Sequence, residues 1–338
     1  MGVTTRDVAK AAGVSQSTVS VVLNNNPKIS ISPETRAHVL KVADQLGYQF
    51  KKRIKNRDEA ATVGLLIPTL SNMYYPMLVQ NVESYARTQG INIVMQNTMR
   101  SREMEERSFD FFRKIGVRGV LCLYSPEMRL PEDIVCVIVG ERLPNTEADT
   151  VGLNSYAAGQ LLAEHVLSLG HKDIAFISTP LSKITSARQK RLDGIQDVVA
   201  KAGLADRLVT LIDDNENESA AVSYEYECGA RMTKKVLEEH PQCTAIIAVN
   251  DMTAYGCIST LNEHHISVPD QIAICGFDNL MLDRTITPQL TSVEQMAFHG
   301  CKIGLSMLMQ RTNITAVEGP VYMEYMPVLH ARTSTVKE

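Results

Sequence analysis

The sequence has little that would mark a secreted or membrane-bound protein. Its seven cysteines are scattered without a C-x-x-C pair, and an odd count argues against a disulfide framework. Cys122, Cys136 and Cys275 lie in apolar runs and are interpreted as reduced core thiols. Arg6 and Asp7 interrupt any apolar signal segment near the start, and no apolar run reaches the length of a membrane span. These absences predict a cytoplasmic protein.

Signatures of catalysis are also missing. The patterns G-x-S-x-G, G-x-G-x-x-G and G-x-x-x-x-G-K-[ST] do not occur. The eight histidines show no H-x-x-x-H or H-E-x-x-H spacing, and the adjacent His264 and His265 cannot both face one site on a helix. We therefore predict that the chain is not an enzyme, and we assign no catalytic residue, cofactor or metal ligand.

Charge is distributed unevenly along the chain. The 338 residues carry a net charge of −4. Residues 1–57 contain ten Lys/Arg against three Asp/Glu, a net charge of +7, and the remainder contains 24 against 35, a net charge of −11. A basic first segment joined to an acidic body is typical of a nucleic-acid-binding head on a soluble domain.

Two short helical patterns lie at the start of the chain. The first ends at Gly13, which suits the positive φ of a helix C-terminus, and Ser15 is a typical N-cap for the second. Two helices joined by a glycine-containing turn form the helix-turn-helix plan, in which the second helix enters the major groove of DNA. The apolar positions are Val8, Ala9 and Ala12 in the first helix and Val19, Val22 and Leu23 in the second.

A third helix is predicted directly afterwards. Ser32 caps it, Pro33 occupies its first position, and Glu34 favours the positive end of the helix dipole. Three short helices form a minimal DNA-binding domain, whereas an ordinary αα-hairpin is the alternative for the first two. The predicted apolar stripe of the third helix consists of Val39, Val42, Ala43 and Leu46, and Gly47 is predicted to end the helix.

At these residues the sequence resembles the LacI/GalR family of bacterial transcription regulators. The resemblance rests on D-V-A-x-x-A-G-V-S-x-x-T-V-S at Asp7–Ser20, S-x-x-T-R at Ser32–Arg36 and L-G-Y at Leu46–Tyr48. Family position implies that Gln16, Ser17 and Val21 contact bases, although Val21 could instead pack at a boundary. The complete predicted DNA-binding set is Thr5, Ser15, Gln16, Ser17, Thr18, Ser20, Val21, Asn24, Asn25, Tyr48, Lys52, Arg53 and Arg57.

The basic linker after Tyr48 departs from the family pattern Y-x-P-x-x-x-A-x-x-L. Phe50 replaces the proline, Ile54 the alanine and Arg57 the leucine. In the family this leucine wedges into the minor groove and kinks the duplex. We expect weaker DNA bending here, with Arg57 reaching a phosphate or a narrow minor groove. A solvated tether is the alternative interpretation of this segment.

From Thr62 onwards, apolar strand patterns alternate with amphipathic helices, and the alternation restarts after Asn154. This predicts an α/β body with parallel sheets covered by helices on both faces. Two similar βα runs suggest two lobes, and a ligand would bind beyond the carboxyl ends of their strands, in the cleft between them. L-G-H at 169–171, N-D-x-x-A at 250–254 and G-F-D at 276–278 resemble the periplasmic-binding-protein-like sensor domain of the same family.

The predicted boundaries follow from these patterns. No leucine-heptad tail follows the match, which ends near Thr333, so the resemblance implies a homodimer. The predicted parts are a helix-turn-helix domain (1–48), a basic linker (49–61) and a two-lobed body (62–338), with an N-lobe of about 62–154 plus 279–293 and a C-lobe of about 155–278 plus 294–333.

The predicted effector-binding residues follow predicted strands or occupy family positions. Arg191 matches the ligand arginine of the family, and its planar fork suits paired hydroxyls or a carboxylate. Tyrosine rings can stack on the C–H face of a sugar or on a purine, and asparagine can bond hydroxyls. The complete predicted set is Asn72, Tyr74, Tyr75, Glu141, Arg142, Arg191, Tyr224, Asn250, Asp251, Asp278 and Gln295.

Each of these residues also has a structural interpretation. Asp251 could cap the following helix, Asn250 and Asp278 could be turn residues, and Arg191 could form a surface ion pair. Tyr224 lies in a polar segment that is hard to align.

The sequence therefore predicts a homodimeric, DNA-binding transcriptional repressor of the bacterial cytoplasm. Carboxylates, asparagines and aromatic rings in the cleft favour a sugar or sugar derivative as its effector. The rivals are a sugar-binding protein and a carbohydrate-acting enzyme with a periplasmic-binding-like fold. A sugar-binding protein would normally need a signal peptide, and it would leave the basic head unexplained.

Overall fold

The structure is a computed structural model that describes residues 3–23, 31–46, 61–142, 146–181, 186–213, 223–295, 297–313 and 319–336. The chain divides into two compact units, Met1–Glu59 and Ala60–Glu338. Within the described ranges, no helix is long and apolar enough to cross a membrane.

The described part of the first unit contains α1 (Thr5–Ala12), α2 (Gln16–Leu23) and α3 (Pro33–Gln45). Gly13 ends α1 with φ of 63°, and Ser32 caps α3 by accepting a hydrogen bond from the Thr35 amide, as the sequence predicts. Leu46 is 38% exposed, so its assignment to the apolar stripe was wrong. The fully buried centre of the unit consists of Val8, Val19 and Val39.

The second unit has two lobes, each built on a six-stranded sheet. In the first sheet the strand order is β11-β5-β4-β3-β1-β2, and every pair is parallel. Helices cover both faces of the sheet, because its inner strands are buried along almost their whole length. Before the chain passes into the second lobe, the elements of the first lobe are β1 (Thr62–Ile67), α4 (Tyr74–Thr88), β2 (Asn92–Asn97), α5 (Arg102–Lys114), β3 (Gly119–Cys122), β4 (Val135–Val139) and β5 (Asp149–Leu153).

In the second sheet the order is β12-β10-β9-β8-β6-β7, and only the β10–β12 pair is antiparallel. The predicted α/β class with parallel sheets is thus confirmed. The elements of this lobe are α6 (Ser155–Ser168), β6 (Ile174–Ser178), α7 (Ser186–Lys201), β7 (Leu208–Ile212), α8 (Tyr224–Glu239), β8 (Ala245–Ala248), α9 (Asp251–Glu263), β9 (Ala273–Phe277), β10 (Thr291–Glu294) and β12 (Val328–His330).

The chain returns to the first lobe near its end through α10 (Ala297–Asn313) and β11 (Tyr322–Tyr325). The predicted assignment was therefore wrong for two of the last segments, since β10 pairs with β9 in the second lobe and β11 pairs with β5 in the first, whereas β12 lies in the second lobe as predicted. The apolar side of α10 packs into the core of the first lobe. An apolar pattern identifies a buried face but not the sheet that the face covers, so the sequence could not assign these segments.

Glycines bring the helices of the second lobe into backbone contact. A Cβ atom at Gly159 of α6 would lie 2.0 Å from the carbonyl oxygen of Arg191 in α7. One at Gly229 of α8 would lie 2.0 Å from the carbonyl oxygen of Thr253 in α9. Any side chain at these positions would separate the helices, so the glycines set where α7 and α8 present their polar residues.

We expect Gly159→Ala to reduce the free energy of unfolding by about 1–3 kcal/mol, because overpacking displaces the backbone at Arg191. The measurement is urea unfolding of the full chain. Gly300→Ala is the control, because its Cβ would meet only the Val139 and Val151 methyl groups at 3.3 Å. Equal stability of the two variants would contradict this account of the helix contact.

Candidate functional site

The first unit presents a polar face on α2. Gln16, Ser17 and Ser20 are exposed on this helix, and Val21 is half-buried. The Ser15 hydroxyl accepts a hydrogen bond from the Thr18 amide at 3.0 Å and so caps the helix. The helix therefore begins at a fixed point and offers short polar groups over its first two turns.

A contact between α1 and α2 orients the predicted base-reading glutamine. Gln16 Nε2 donates to Thr5 Oγ1 at 3.1 Å. Thr4 and Asp7 form a capping box at the start of α1, with the Thr4 amide donating to the Asp7 carboxylate at 2.8 Å. The sequence analysis did not identify this capping box. Six predicted DNA-binding residues lie outside the described residues: Asn24, Asn25, Tyr48, Lys52, Arg53 and Arg57.

The two lobes of the second unit meet through side-chain contacts beyond the carboxyl ends of their strands. Asn72, which follows β1, donates from Nδ2 to Glu225 Oε2 in the second lobe at 2.7 Å. Lys190 of α7 donates from Nζ to Glu141 Oε2, which follows β4, at 2.5 Å. These two hydrogen bonds join the lobes across the cleft between them.

Arg191 lies next to Lys190 on α7, and its side chain is only 9% exposed. Its Nη1 donates to the Val249 carbonyl oxygen at 2.5 Å, and its Nη2 donates to Gln295 Oε1 at 2.9 Å. The guanidinium carbon lies 4.5 Å from the centroid of the Phe277 ring. Because its Nε is buried without a hydrogen-bond partner among the described residues, the guanidinium keeps a donor for a further group.

Asp278 completes an ion pair with Arg191, with Oδ1 at 3.5 Å from Nη2. Burial raises the pKa of the Asp278 carboxyl to about 7; Arg191 opposes the shift, and Glu225 and Asp283 increase it. The backbone φ of Asp278 is 118°, a strained value that the Asp278 N–H bond to Val293 O at 3.0 Å helps to hold. A strained carboxylate beside a buried arginine is typical of a ligand site.

Tyr74 from the first lobe lies near this ion pair, and Tyr75 packs against Tyr74. The rings of Tyr74 and Tyr75 pack edge to face, with centroids 5.2 Å apart. The Tyr74 hydroxyl is buried without a partner among the described residues, and burial together with Asp278 raises its pKa. Arg100 donates from Nη2 to the Tyr75 hydroxyl at 2.9 Å. The first lobe thus contributes an aromatic wall with one unpaired buried hydroxyl.

Gln295 and Glu141 connect this cluster to the start of α6. Gln295 Nε2 donates to Ser155 Oγ at 3.0 Å, and the Ser155 amide donates to Glu141 Oε1 at 3.1 Å. Both side chains are buried and belong to one network with Arg191 and Lys190. The structure therefore brings together the predicted residues Tyr74, Glu141, Arg191, Asp278 and Gln295.

Three predicted effector residues occupy other positions. Asp251 is fully buried, and its carboxylate accepts bonds from the Leu280 amide at 3.1 Å and the Ser292 hydroxyl at 2.7 Å. Burial and the nearby carboxylates of Asp283 and Asp278 raise its pKa. Asp251 therefore supports the strained Asp278 turn from behind and does not face the cleft.

The other two residues are Tyr224 and Arg142. The Tyr224 hydroxyl donates to Asp213 Oδ2 at 2.6 Å, whereas the neighbouring Glu225 accepts from Asn72 of the first lobe. Arg142 is exposed, with its guanidinium 5.0 Å from the Tyr322 ring centroid. Strand-end position does not determine the direction of a side chain, and an effector contact for Tyr224 and Arg142 stays a prediction.

The sequence analysis missed three charged residues of the cleft: Arg188, Lys190 and Glu225. Arg188 Nη1 donates to the Pro180 carbonyl oxygen at 3.1 Å, and its Nη2 lies 3.7 Å from Glu225 Oε1. Helical spacing could have identified Arg188, since it lies one turn before Arg191 on the same face of α7. No local pattern distinguishes Glu225 from the other acidic residues at the start of α8.

A separate groove lies on the first lobe. It has a volume of about 800 Å³ and is lined by the segment after β3, the residues before β5, and Arg311. None of the predicted site residues lines it. The predicted site residues that the structure brings together lie in the cleft between the lobes instead.

A three-helix unit with a polar second helix, joined to a two-lobed body with a charged cleft, is the architecture of ligand-responsive DNA-binding regulators. Residues 4–50 match the bacterial regulatory proteins of the lacI family, and residues 163–335 match the periplasmic binding protein-like domain. The chain belongs to the LacI family of bacterial regulatory proteins. The predicted family resemblance is thus confirmed.

Relatives match along most of their length. The ribose operon repressor of Halalkalibacterium halodurans is 30% identical over 86% of this chain and 85% of its own length. Catabolite control protein A of Priestia megaterium is 28% identical over 95% of this chain and 96% of its own. The crystal structure of a LacI family regulator from Enterococcus faecium with bound ribose aligns with a TM-score of 0.70 at 21% identity, over 82% of this chain and 99% of that one.

The buried Asp278 carboxyl predicts a pH dependence of stability. Between its ordinary value of 3.8 and about 7, the folded chain holds a proton on Asp278 that the unfolded chain has released, so its contribution to stability falls as pH rises. The free energy of unfolding of Asp278→Asn, measured by urea unfolding, should rise relative to that of the parent protein as the pH increases from 5 to 8. We expect this relative gain to be on the order of 2 kcal/mol. Asp206→Asn, at an exposed position, is the control. If stability depends on pH in the same way in the parent protein and in Asp278→Asn, the Asp278 carboxyl does not contribute the pH dependence described here.

Proposed function

We propose that this protein is a homodimeric transcriptional repressor that binds operator DNA through α2 and is controlled by a sugar or sugar derivative in the cleft. The observation that carries the proposal is the polar cluster around Arg191, to which both lobes contribute. The proposal includes no catalytic step. Operator binding would occur in the bacterial cytoplasm.

The chemistry of the cleft supports a polyhydroxylated effector. Arg191 retains a buried unpaired Nε–H, and the Tyr74 hydroxyl is likewise unpaired among the described residues. Asp278 adds a carboxylate that can accept from hydroxyl groups, and the edge-to-face tyrosines offer an apolar surface for C–H groups. A ring with several hydroxyls satisfies all of these groups, and the relative from Enterococcus faecium contains ribose.

The exposed face of α2 supports operator binding. Glutamine can bond adenine at N6 and N7, serine can accept or donate, and valine can contact a thymine methyl. The basic first segment supplies the charge for phosphate contacts. A dimer would place two such heads on a roughly palindromic operator.

Effector control then follows from the two lobes. A ligand shifts an equilibrium only by its differential affinity for the two states. A ligand that contacts Tyr74 in one lobe and Arg191 in the other binds a closed cleft better than an open one. Closure would change the DNA affinity of the heads, with induction or corepression as the outcome.

The effector prediction is tested by a thermal-shift panel of sugars, sugar phosphates and nucleosides, including ribose, on the full chain. A ligand at 100 times its dissociation constant should add about 2.7 kcal/mol of stability, which raises the melting temperature measurably. Arg191→Lys should abolish the shift because it loses the planar fork. Arg207→Lys, in an exposed ion pair with Asp173, should retain it. A shift that survives Arg191→Lys would place the ligand elsewhere.

The DNA prediction is tested by gel-shift titration against a selected operator and a scrambled duplex. Gln16→Ala should weaken operator binding by about 1–3 kcal/mol and leave binding to the scrambled duplex unchanged, because only the base contact is lost. Gln45→Ala, at the exposed end of α3, is the matched control. Equal loss on both duplexes would indicate a phosphate contact instead.

A further inference from the structure

Glu225 is held by amide groups from both lobes. It is the second residue of α8, and its side chain is 15% exposed. Oε2 accepts from Asn72 Nδ2 in the first lobe at 2.7 Å, and Oε1 accepts from Asn250 Nδ2 in the second at 2.9 Å. One carboxylate therefore bridges the cleft.

Hydrogen bonds to backbone amides at the starts of two helices determine the orientation of the two asparagines. Asn72 Oδ1 accepts from the Tyr74 amide at the start of α4 at 2.8 Å, and Asn250 Oδ1 accepts from the Thr253 amide in α9 at 2.9 Å. With each oxygen committed to a backbone N–H, each NH₂ group must point into the cleft. Both NH₂ groups need an acceptor, and Glu225 provides one oxygen for each.

Arg188 strengthens this arrangement electrostatically. Its Nη2 lies 3.7 Å from Glu225 Oε1, and its side chain is 9% exposed. Hydrogen bonds between amide donors and a carboxylate are stronger than those between neutral groups, and the neighbouring guanidinium adds an attractive charge. The bridge is therefore an energetically significant link between the lobes.

We propose that Glu225 is a lobe latch: its carboxylate joins Asn72 to Asn250 and, before any effector binds, stabilises contact between the lobes that the effector must then replace with its own contacts. Any ligand that hydrogen-bonds the NH₂ groups of Asn72 and Asn250 must displace this carboxylate. The statement that an effector displaces Glu225 rests on the proposed function. The statement that Glu225 links the two lobes does not.

The test is hydrogen–deuterium exchange on the full chain without effector. Glu225→Gln keeps the length of the side chain but turns an NH₂ group towards one of the asparagine NH₂ groups. We expect amide exchange in residues 72–78, at the start of α4, to accelerate about tenfold, because the variant weakens the hydrogen bond that holds Asn72. The covalent and helical structure of this segment is otherwise unchanged. Glu227→Gln, an exposed residue in the same turn of α8, is the charge-matched control and should leave this exchange unchanged.

A variant from the opposite lobe gives an independent reading. Asn72→Asp keeps an oxygen to accept from the Tyr74 amide but places a carboxylate against Glu225, so it should also accelerate exchange in 72–78. The double variant Asn72→Asp with Glu225→Gln restores a donor–acceptor pair, because the introduced amide can donate to the introduced carboxylate and still accept from Asn250. Its exchange should return to within about twofold of the parent protein.

The outcomes separate cleanly. Acceleration in 72–78 by each single variant, with recovery in the double variant, establishes the latch. Unchanged exchange in 72–78, acceleration confined to second-lobe peptides, or additive acceleration in the double variant overturns it. Because no effector is present, a silent sugar panel would count against the proposed effector class without affecting this result.

Discussion

Burial of charge between the lobes is the constraint on which the rest of the second unit depends. Arg191 pairs with Asp278, Arg188 lies beside Glu225, and Lys190 contacts Glu141. A buried charge that loses its partner is strongly destabilising, so the positions of these groups are tightly coupled. Two of these carboxylates accept from side chains of the opposite lobe. Contact between the lobes therefore adds one ion pair, Lys190–Glu141, and the Asn72–Glu225 hydrogen bond to charges that are already paired within the second lobe.

Close helix packing makes that compensation possible. Gly159 allows α6 to touch the backbone of α7 at Arg191, and Gly229 allows α8 to touch α9. These contacts fix α7 and α8, which present Arg188, Arg191 and Glu225, with little freedom to shift. Behind the cleft, the fully buried Asp251 supports the strained turn at Asp278. A rigid second lobe thus faces a first lobe whose Tyr74 and Asn72 sit at the start of α4.

Local patterns identified most of the secondary structure and part of the cleft. Strand-end position located Tyr74, Glu141 and Asp278, and the family pattern located Arg191. The same reasoning missed Glu225, the residue next to the predicted Tyr224, because adjacent residues on a helix point in directions about 100° apart and strand-end position does not say which of them meets the other lobe. It failed for Asp251 because the residue after a helix cap can turn into the core as easily as towards a ligand.

The sequence by itself determined the helix-turn-helix head, with its glycine turn and serine caps, and the parallel α/β class, because both depend on local periodicity and capping chemistry. Only the tertiary structure decided that α10 and β11 return to the first lobe while β10 and β12 complete the second sheet. It also decided that Asn72 and Glu225, 153 positions apart, share a hydrogen bond. Pairing at that separation depends on how two cores pack and on where each buried charge finds a partner, and no local pattern encodes either.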